Sequence, residues 1–90
     1  PKKVEAIQII EGLKKSIELI NSIEVFDPEN LEDNFRKLAE ELKLKAGQLF
    51  FPIRIALTGR KESPPLFDTM KVIGRESSIK RLNNAINILN

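Results

Sequence analysis

Apolar residues recur at steps of three and four through most of this 90-residue chain. Side chains at those steps share one face of an α-helix, so the spacing predicts helices with one buried side. The positions are Val4, Ile7, Ile10, Leu13, Ile17 and Ile20, then Leu31, Phe35, Leu38 and Leu42, and later Ile79, Leu82, Ile86 and Leu89. We therefore predict a first helix across residues 4–23, a second across the next stripe and a last one at the end of the chain.

The start of the second helix is marked by the sequence FDPEN, residues 26–30. Asp27 can accept a hydrogen bond from the unpaired N–H groups of a first helical turn, which is the role of an N-cap residue. Pro28 then falls at the first helical position, where its missing N–H is harmless. We predict that the second helix begins there.

The segment AGQLFFPIRIALTG, residues 46–59, is ambiguous from its own pattern. Ile53, Ile55 and Leu57 alternate with other residues as in a β-strand. Pro52 would delete a ladder hydrogen bond in a central strand, whereas near the start of a helix it costs little. Because helices flank the segment and no second strand is available to pair, we predict a third helix that ends at Gly59.

A short fourth helix is predicted within ESPPLFDTMKVIG, residues 62–74. Ser63 is the candidate N-cap, prolines stand at the entry, and Gly74 ends the helix. Its inward face is predicted to hold Leu66, Phe67, Met70 and Ile73. About five helices then account for nearly all of residues 1–90. We expect an all-α single domain that forms a compact helical cage or bundle.

Composition excludes several classes of function. The chain has no histidine and no cysteine, which removes the commonest general base, disulfides and thiolate metal sites. It has no apolar run of about 18 residues and no secretory signal, so we expect a cytoplasmic protein without membrane contact. Because the chain opens on Pro1 and not on methionine, we expect it to be a fragment of a longer chain.

The basic charge is concentrated in the second half of the chain. Residues 1–45 carry eight basic residues against ten acidic ones, whereas residues 46–90 carry seven against three. A face that meets a polyanion is therefore predicted in the second half.

The turn after the third helix combines this charge with a constrained backbone. Gly59 permits positive φ, and Pro64 and Pro65 each fix φ. Arg60 and Lys61 stand between them. A rigid basic loop with flat apolar surfaces suits an unstacked nucleotide, because cations can meet its phosphate or its base edge. The same residues also fit a merely structural turn.

Two other functions fit these features. A helical protein–protein interaction module could dock its basic face on an acidic partner, and it should expose a contiguous apolar patch. A free-standing domain could also read the shape of an RNA. A domain that binds nucleic acid through its bases should instead expose a basic rim and few large apolar side chains.

Three blocks of the chain resemble a known family in their order and spacing. The blocks are residues 52–59 (PIRIALTG), residues 64–67 (PPLF) and residues 73–82 (IGRESSIKRL). They closely resemble the C-terminal anticodon-binding region of bacterial-type glutamyl-tRNA synthetases. The resemblance implies an all-helical domain at the end of a longer chain, which binds tRNA and by itself catalyses nothing.

The resemblance also implies partners and cofactors. Such enzymes activate glutamate with ATP and magnesium and ligate it to tRNA(Glu) in an N-terminal catalytic domain, whose motifs these residues lack. The implied partners are the anticodon loop of tRNA(Glu) and the rest of the synthetase chain. We expect a monomeric enzyme, with no cofactor, no metal and no catalytic residue in this fragment.

The resemblance assigns the first site residues. Arg54 corresponds to the arginine that packs against the anticodon or forms hydrogen bonds with it. Ser63, Pro64 and Leu66 lie in the turn whose backbone and side chains read anticodon bases.

Three more residues of the same turn match the family less closely. Pro65 stands where many relatives carry glycine, which should stiffen the turn. Arg60 and Lys61 lie in a variable part of the pattern, so they are candidates for electrostatic contact with RNA only.

Overall fold

The computed structural model describes residues 5–90, within which five α-helices follow one another without a strand. The helices are α1 (Ala6–Ser22), α2 (Pro28–Glu41), α3 (Ala46–Thr58), α4 (Leu66–Ile73) and α5 (Arg75–Leu89). The predicted all-α fold of about five helices is confirmed. The first position of the predicted stripe, Val4, lies outside the described residues.

Two helix ends form as the sequence predicted. The Asp27 carboxylate accepts a hydrogen bond from the N–H of Asn30 at 2.9 Å, and Pro28 is the first residue of α2. Gly59 follows α3 with a φ of 72°, and its N–H donates to the carbonyl of Ile55 at 2.8 Å. A left-handed residue at this place lets the chain leave the helix while one of the last carbonyls keeps a donor.

The prediction of Ser63 as the N-cap of α4 is wrong. α4 begins at Leu66, and the residue at its N-cap position is Pro65, with φ of −47° and ψ of 131°. A residue that precedes proline is driven out of the helical region by the proline ring. A helix capped by Ser63 would need Pro64 as its first residue, and Pro64 precedes Pro65, so that start is disfavoured and Ser63 is left two residues before the N-cap position.

Pro52 lies deeper in its helix than predicted. It is the seventh residue of α3, beyond the first turn, so its missing N–H removes one main-chain hydrogen bond from the helix interior. Leu49, Ile53 and Leu57 of the same helix are at most 1% exposed. Burial of this stripe stabilises α3 despite the proline, since packing of an apolar face supplies most helical stability in proteins.

One apolar core is shared by all five helices. Its buried side chains include Leu13, Ile20, Leu31, Phe35, Leu38, Leu49, Ile53, Leu57, Leu66, Phe67, Met70, Leu82 and Ile86. The predicted stripes of α2 and α4 are confirmed except at their last positions, Leu42 and Ile73, which are half-buried.

The predicted faces of α1 and α5 are less accurate. Ile7 is 76% exposed and Leu89 is 43% exposed, whereas Gly12 and Ser16 are buried. A Cβ at Gly12 would lie 3.1 Å from Cδ1 of Leu49, so the missing side chain lets α1 approach α3 closely. The Ser16 hydroxyl donates to the carbonyl of Gly12 at 2.7 Å, which satisfies its hydrogen-bonding need inside the core.

α3 is the one helix of the five that packs against all the others. α1 lies mainly along α5 and α2 lies mainly against α4, so α3 joins these two pairs. The assembled helices measure 31 × 25 × 24 Å. Among residues 5–90, no helix combines the length and the apolar character needed to cross a membrane.

The cap of α2 can be tested with Asp27→Ala. Loss of the carboxylate leaves the Asn30 N–H without its partner, so we expect the free energy of unfolding to fall by about 1 kcal/mol in urea titrations. Asp27→Asn keeps an acceptor at the same place and should lose only a small part of that stability. Equal losses in the two variants would contradict the capping role.

Candidate nucleic-acid interface

Local hydrogen bonds hold the start of the basic turn, residues 59–65, where the chain leaves α3. The Thr58 hydroxyl donates to the carbonyl of Arg54 at 2.7 Å and accepts the N–H of Arg60 at 3.1 Å. Together with the left-handed Gly59, these contacts fix the direction in which the chain departs from the helix. The turn therefore starts from a defined geometry.

The far end of the basic turn is tied back to α3 by Arg54 and Ser63. Nε of Arg54 donates to Oγ of Ser63 at 3.0 Å, and the Ser63 hydroxyl donates to the carbonyl of Pro64 at 2.8 Å. Nε carries only one of the five N–H groups of a guanidinium. The terminal nitrogens of Arg54 make no hydrogen bond within residues 5–90, so they remain available to a ligand.

A second arginine, Arg81 of α5, holds the end of α3 itself. Its Nη1 donates to the carbonyl of Leu57 at 2.5 Å. The last carbonyls of a helix have no partner inside the helix, and a cation beside them also interacts favourably with the helix dipole. Arg81 therefore anchors the point from which the basic turn departs.

The other predicted site residues lie at different depths. Arg60, Lys61 and Pro64 are exposed, so a ligand can reach them from solvent. Leu66 is only 3% exposed and belongs to the core. Its predicted contact with a base is limited to the small part of the side chain that lines a pocket beside Arg54.

That pocket has a volume of about 400 Å³ and opens between α2, α3 and α4. Its aromatic wall is formed by Phe50 and Phe67, which meet edge to face with ring centroids 5.0 Å apart. Phe67 also lies 5.4 Å from the buried ring of Phe35, so the wall is continuous with the core. The guanidinium of Arg36 lies 5.6 Å over the Phe50 ring. The apolar side of the pocket is therefore built from rings that pack on the core.

The polar wall of the pocket carries both signs of charge. Glu32 pairs with Arg36 at 2.9 Å, whereas Glu29 and Asp68 have no ion pair within residues 5–90. Acceptors without an ion pair thus line the same pocket as Arg54. A nucleobase edge, which presents donors and acceptors together, suits this wall better than a phosphate does. In the part of the chain that the structure describes, no three acidic side chains converge to hold a metal ion.

Most of the residues that line this pocket were not predicted from the sequence. Phe50 precedes Arg54 by four positions, and this spacing places both on one face of a helix, so the sequence did carry a signal for Phe50. Glu29 and Asp68 carry no such signal. They reach the pocket only because α2 and α4 pack beside α3.

The family of the chain follows from a match along its sequence. A family model described as an anticodon binding domain matches residues 2–86. The chain belongs to this anticodon-binding domain family. The resemblance based on three spaced blocks is therefore confirmed, and it extends over nearly the whole chain.

Curated relatives of this anticodon-binding domain are much longer chains. Glutamate–tRNA ligase of Chloroflexus aurantiacus is 44% identical over 86 residues, which are 96% of this chain and 17% of the relative. The ligase of Roseiflexus castenholzii is 42% identical over 89 residues, which are 99% of this chain and 18% of the relative. Glutamate–tRNA ligase 2 of Thermoanaerobacter pseudethanolicus is 38% identical over 82 residues, which are 91% of this chain and 17% of the relative. The chain spans less than a fifth of the length of these relatives.

The anchoring role of Arg81 can be tested with Arg81→Ala. We expect the free energy of unfolding to fall by about 1 to 2 kcal/mol, because the end of α3 no longer has its charged donor. Lys80→Ala removes the adjacent exposed cation, with the same change in charge, and should change stability by less than about 0.5 kcal/mol. Urea titrations measure both variants, and equal losses of stability would exclude a specific role for Arg81.

Proposed function

We propose that this domain binds the anticodon loop of tRNA(Glu) as part of a glutamyl-tRNA synthetase. The observation that carries the proposal is the hydrogen bond from Arg54 to Ser63, which joins α3 to the basic turn beside an open pocket. Membership in the anticodon-binding domain family and the glutamate–tRNA ligase relatives support it. In this proposal residues 1–90 are one domain of a longer chain.

An anticodon base, in this proposal, leaves its stack and enters the pocket beside Arg54. The terminal nitrogens of Arg54 donate to the base edge or pack on its face, while Glu29 and Asp68 accept from base amino groups. Ser63 and Pro64 form the edge of the turn against which the base rests. Discrimination comes from polar groups that only a matching base can satisfy, since an unpaired buried donor or acceptor is costly.

The exposed cations of the basic turn supply the share of affinity that does not depend on sequence. Arg60 and Lys61 are exposed on the turn that leads to the pocket, and within residues 5–90 neither forms an ion pair. Contacts to phosphate position a nucleic acid but carry no direct sequence information. We therefore assign the phosphates to Arg60 and Lys61 and the bases to Arg54 and its pocket.

The proposed parent enzyme ligates glutamate to tRNA(Glu) with ATP and magnesium. That chemistry belongs to a catalytic domain outside these 90 residues. The domain described here binds tRNA without catalysing a step and without a cofactor of its own. We propose that the enzyme is a cytoplasmic monomer.

A protein-contact function also has an observation in its favour. Large apolar side chains are exposed at Ile7, Val25, Phe51, Ile55, Val72, Ile88 and Leu89. Four of these, on α3 and α5, line one apolar groove, as expected for a helical interaction module. The groove and the pocket beside Arg54 lie on different faces, so a protein contact and a tRNA contact are compatible in one chain.

Arg54→Ala in the intact synthetase should weaken binding of tRNA(Glu) by on the order of 1 to 3 kcal/mol, because the guanidinium that meets the base is removed. Arg54→Lys keeps the charge but not the planar fork, and it should recover only part of the affinity. Equilibrium titrations with tRNA(Glu) measure both variants. Lys14→Ala, which removes an exposed cation of α1, is the matched control and should leave affinity unchanged.

The same titrations separate base reading from shape reading when they include a tRNA(Glu) with replaced anticodon bases. Wild-type enzyme should bind the replaced anticodon more weakly, and Arg54→Ala should shrink that difference. Unchanged affinity of Arg54→Ala for tRNA(Glu) would overturn the assignment of Arg54. Equal wild-type affinity for both tRNAs would favour a domain that reads RNA shape.

The proposed phosphate-binding role of Arg60 and Lys61 can be tested by replacing both with alanine. The slope of log affinity against log salt concentration should become shallower by about 0.7 to 0.9 for each phosphate that the variant no longer neutralises. The ratio of affinities for the native and the replaced anticodon should stay nearly constant, because these cations carry no base readout. An unchanged salt slope would show that neither side chain meets a phosphate.

A further inference from the structure

An apolar groove of about 810 Å³ runs between α1, α3 and α5. Its apolar walls include Ile9, Phe51, Ile55, Ile88 and Leu89. Phe51 is 47% exposed, Ile88 is 84% exposed and Leu89 is 43% exposed. Burial of such surface stabilises a protein by roughly 25 cal/mol for each Å² removed from water. α3 and α5 thus expose apolar surface to solvent side by side in this groove.

The groove and the proposed tRNA pocket lie on different sides of α3. Successive residues of an α-helix are rotated by about 100°, since one turn holds 3.6 residues. Phe50 and Arg54 therefore lie on one side of the buried stripe of α3, and Pro52 and Ala56 lie on the other. Occupation of one surface leaves the other accessible.

The groove lacks the features of a small-molecule site. Ile88 is so exposed that it borders an open surface and encloses no ligand. Two of the polar side chains along the groove already have partners: Arg81 donates to the carbonyl of Leu57, and Gln48 accepts the N–H of Lys45. Small-molecule sites enclose their ligand and orient it with convergent polar groups. An extended apolar partner surface fits the groove better.

We propose that another domain of the same synthetase chain docks on this groove. The inference rests on the proposed function, in which these residues are part of a longer enzyme. The relatives carry more than four fifths of their length outside the matched residues, so a large folded surface is present in the same molecule. The groove is lined mainly by apolar side chains, with a few polar ones such as Gln48 and Asn84, and this mixture matches the composition of a protein interface.

The position of α1 favours a partner from the same chain over a second copy. α1 begins at Ala6, and Ile9 at the groove follows three residues later, a rise of about 4.5 Å along the helix. A domain joined to the chain ahead of α1 is therefore held close to the groove, at an effective concentration on the order of millimolar. A modest apolar interface suffices for docking at that concentration.

The test compares thiol accessibility at two positions of the full-length synthetase in the absence of tRNA. Ile88 lies in the groove, and Val72 lies on α4 outside both the groove and the pocket, yet their exposures are 84% and 86%. Ile88→Cys and Val72→Cys are each reacted with a maleimide, and mass spectrometry of the labelled peptide gives a rate scaled to the unfolded protein. The Ile88→Cys thiol should react at least about tenfold more slowly than the Val72→Cys thiol, because a covered thiolate cannot meet the reagent.

Equal rates at the two positions would overturn the proposal. If the Ile88→Cys thiol reacted slowly only at high enzyme concentration, that result would also overturn the proposal, since a second copy would then cover the groove. If that thiol reacted slowly only after tRNA was added, the proposal would be overturned, and RNA would be the occupant of the groove. Because the main measurement contains no tRNA, its failure leaves the proposed role of Arg54 standing, and a failed Arg54 titration leaves this measurement interpretable.

A second pair of variants keeps the proposal testable if Ile88→Cys itself loosens the interface. Ile88→Glu would place a charge inside the proposed interface, whereas Val72→Glu adds the same charge on open surface. In the full-length enzyme, Ile88→Glu should speed tryptic cleavage between the domains at least severalfold relative to Val72→Glu. Equal cleavage rates would overturn the proposal.

Discussion

The rotation of α3 about its own axis is the constraint on which the rest of the structure depends. α3 packs against all four other helices, and its buried side chains Leu49, Ile53 and Leu57 fix that rotation. The helical repeat then directs Arg54 to the proposed tRNA side and Ala56 to the groove side. Rotation that moved Arg54 into the place of Ile53 would bury a guanidinium and expose a core side chain, and an unpaired buried charge is strongly unfavourable. One packing arrangement therefore sets both surfaces.

The basic turn extends this rigidity to a segment without regular secondary structure. Arg81 holds the end of α3, Gly59 sets the exit direction, and the bond from Arg54 to Ser63 closes the far end. Pro64 restricts the backbone further. A ligand that binds a preformed segment loses less conformational entropy on binding. The proposed recognition of RNA by the turn thus depends on contacts from α3 and α5 as much as on the sequence of the turn itself.

Periodicity and capping chemistry predicted the five helices because both depend on residues close in sequence, as at Asp27 and Gly59. The N-cap prediction for Ser63 failed because it ignored the paired prolines, and no local pattern shows that its hydroxyl meets Arg54. Arg54 and the turn were nevertheless predicted as the site from the resemblance, whereas the acidic pocket wall depends on helix packing. Periodicity also assigns every apolar stripe to a core, so it could not place Leu89 beside an open groove.

Direct reading of anticodon bases by the basic turn is tested most directly by an NMR titration of the isotopically labelled chain. The ligands are an anticodon stem-loop of tRNA(Glu) and the same hairpin with its anticodon bases replaced. We expect chemical-shift changes confined to Arg54 and residues 60–67, and weaker binding of the replaced hairpin. Equal changes with both hairpins, or changes spread over all basic residues, would contradict direct reading and leave only an electrostatic surface for RNA.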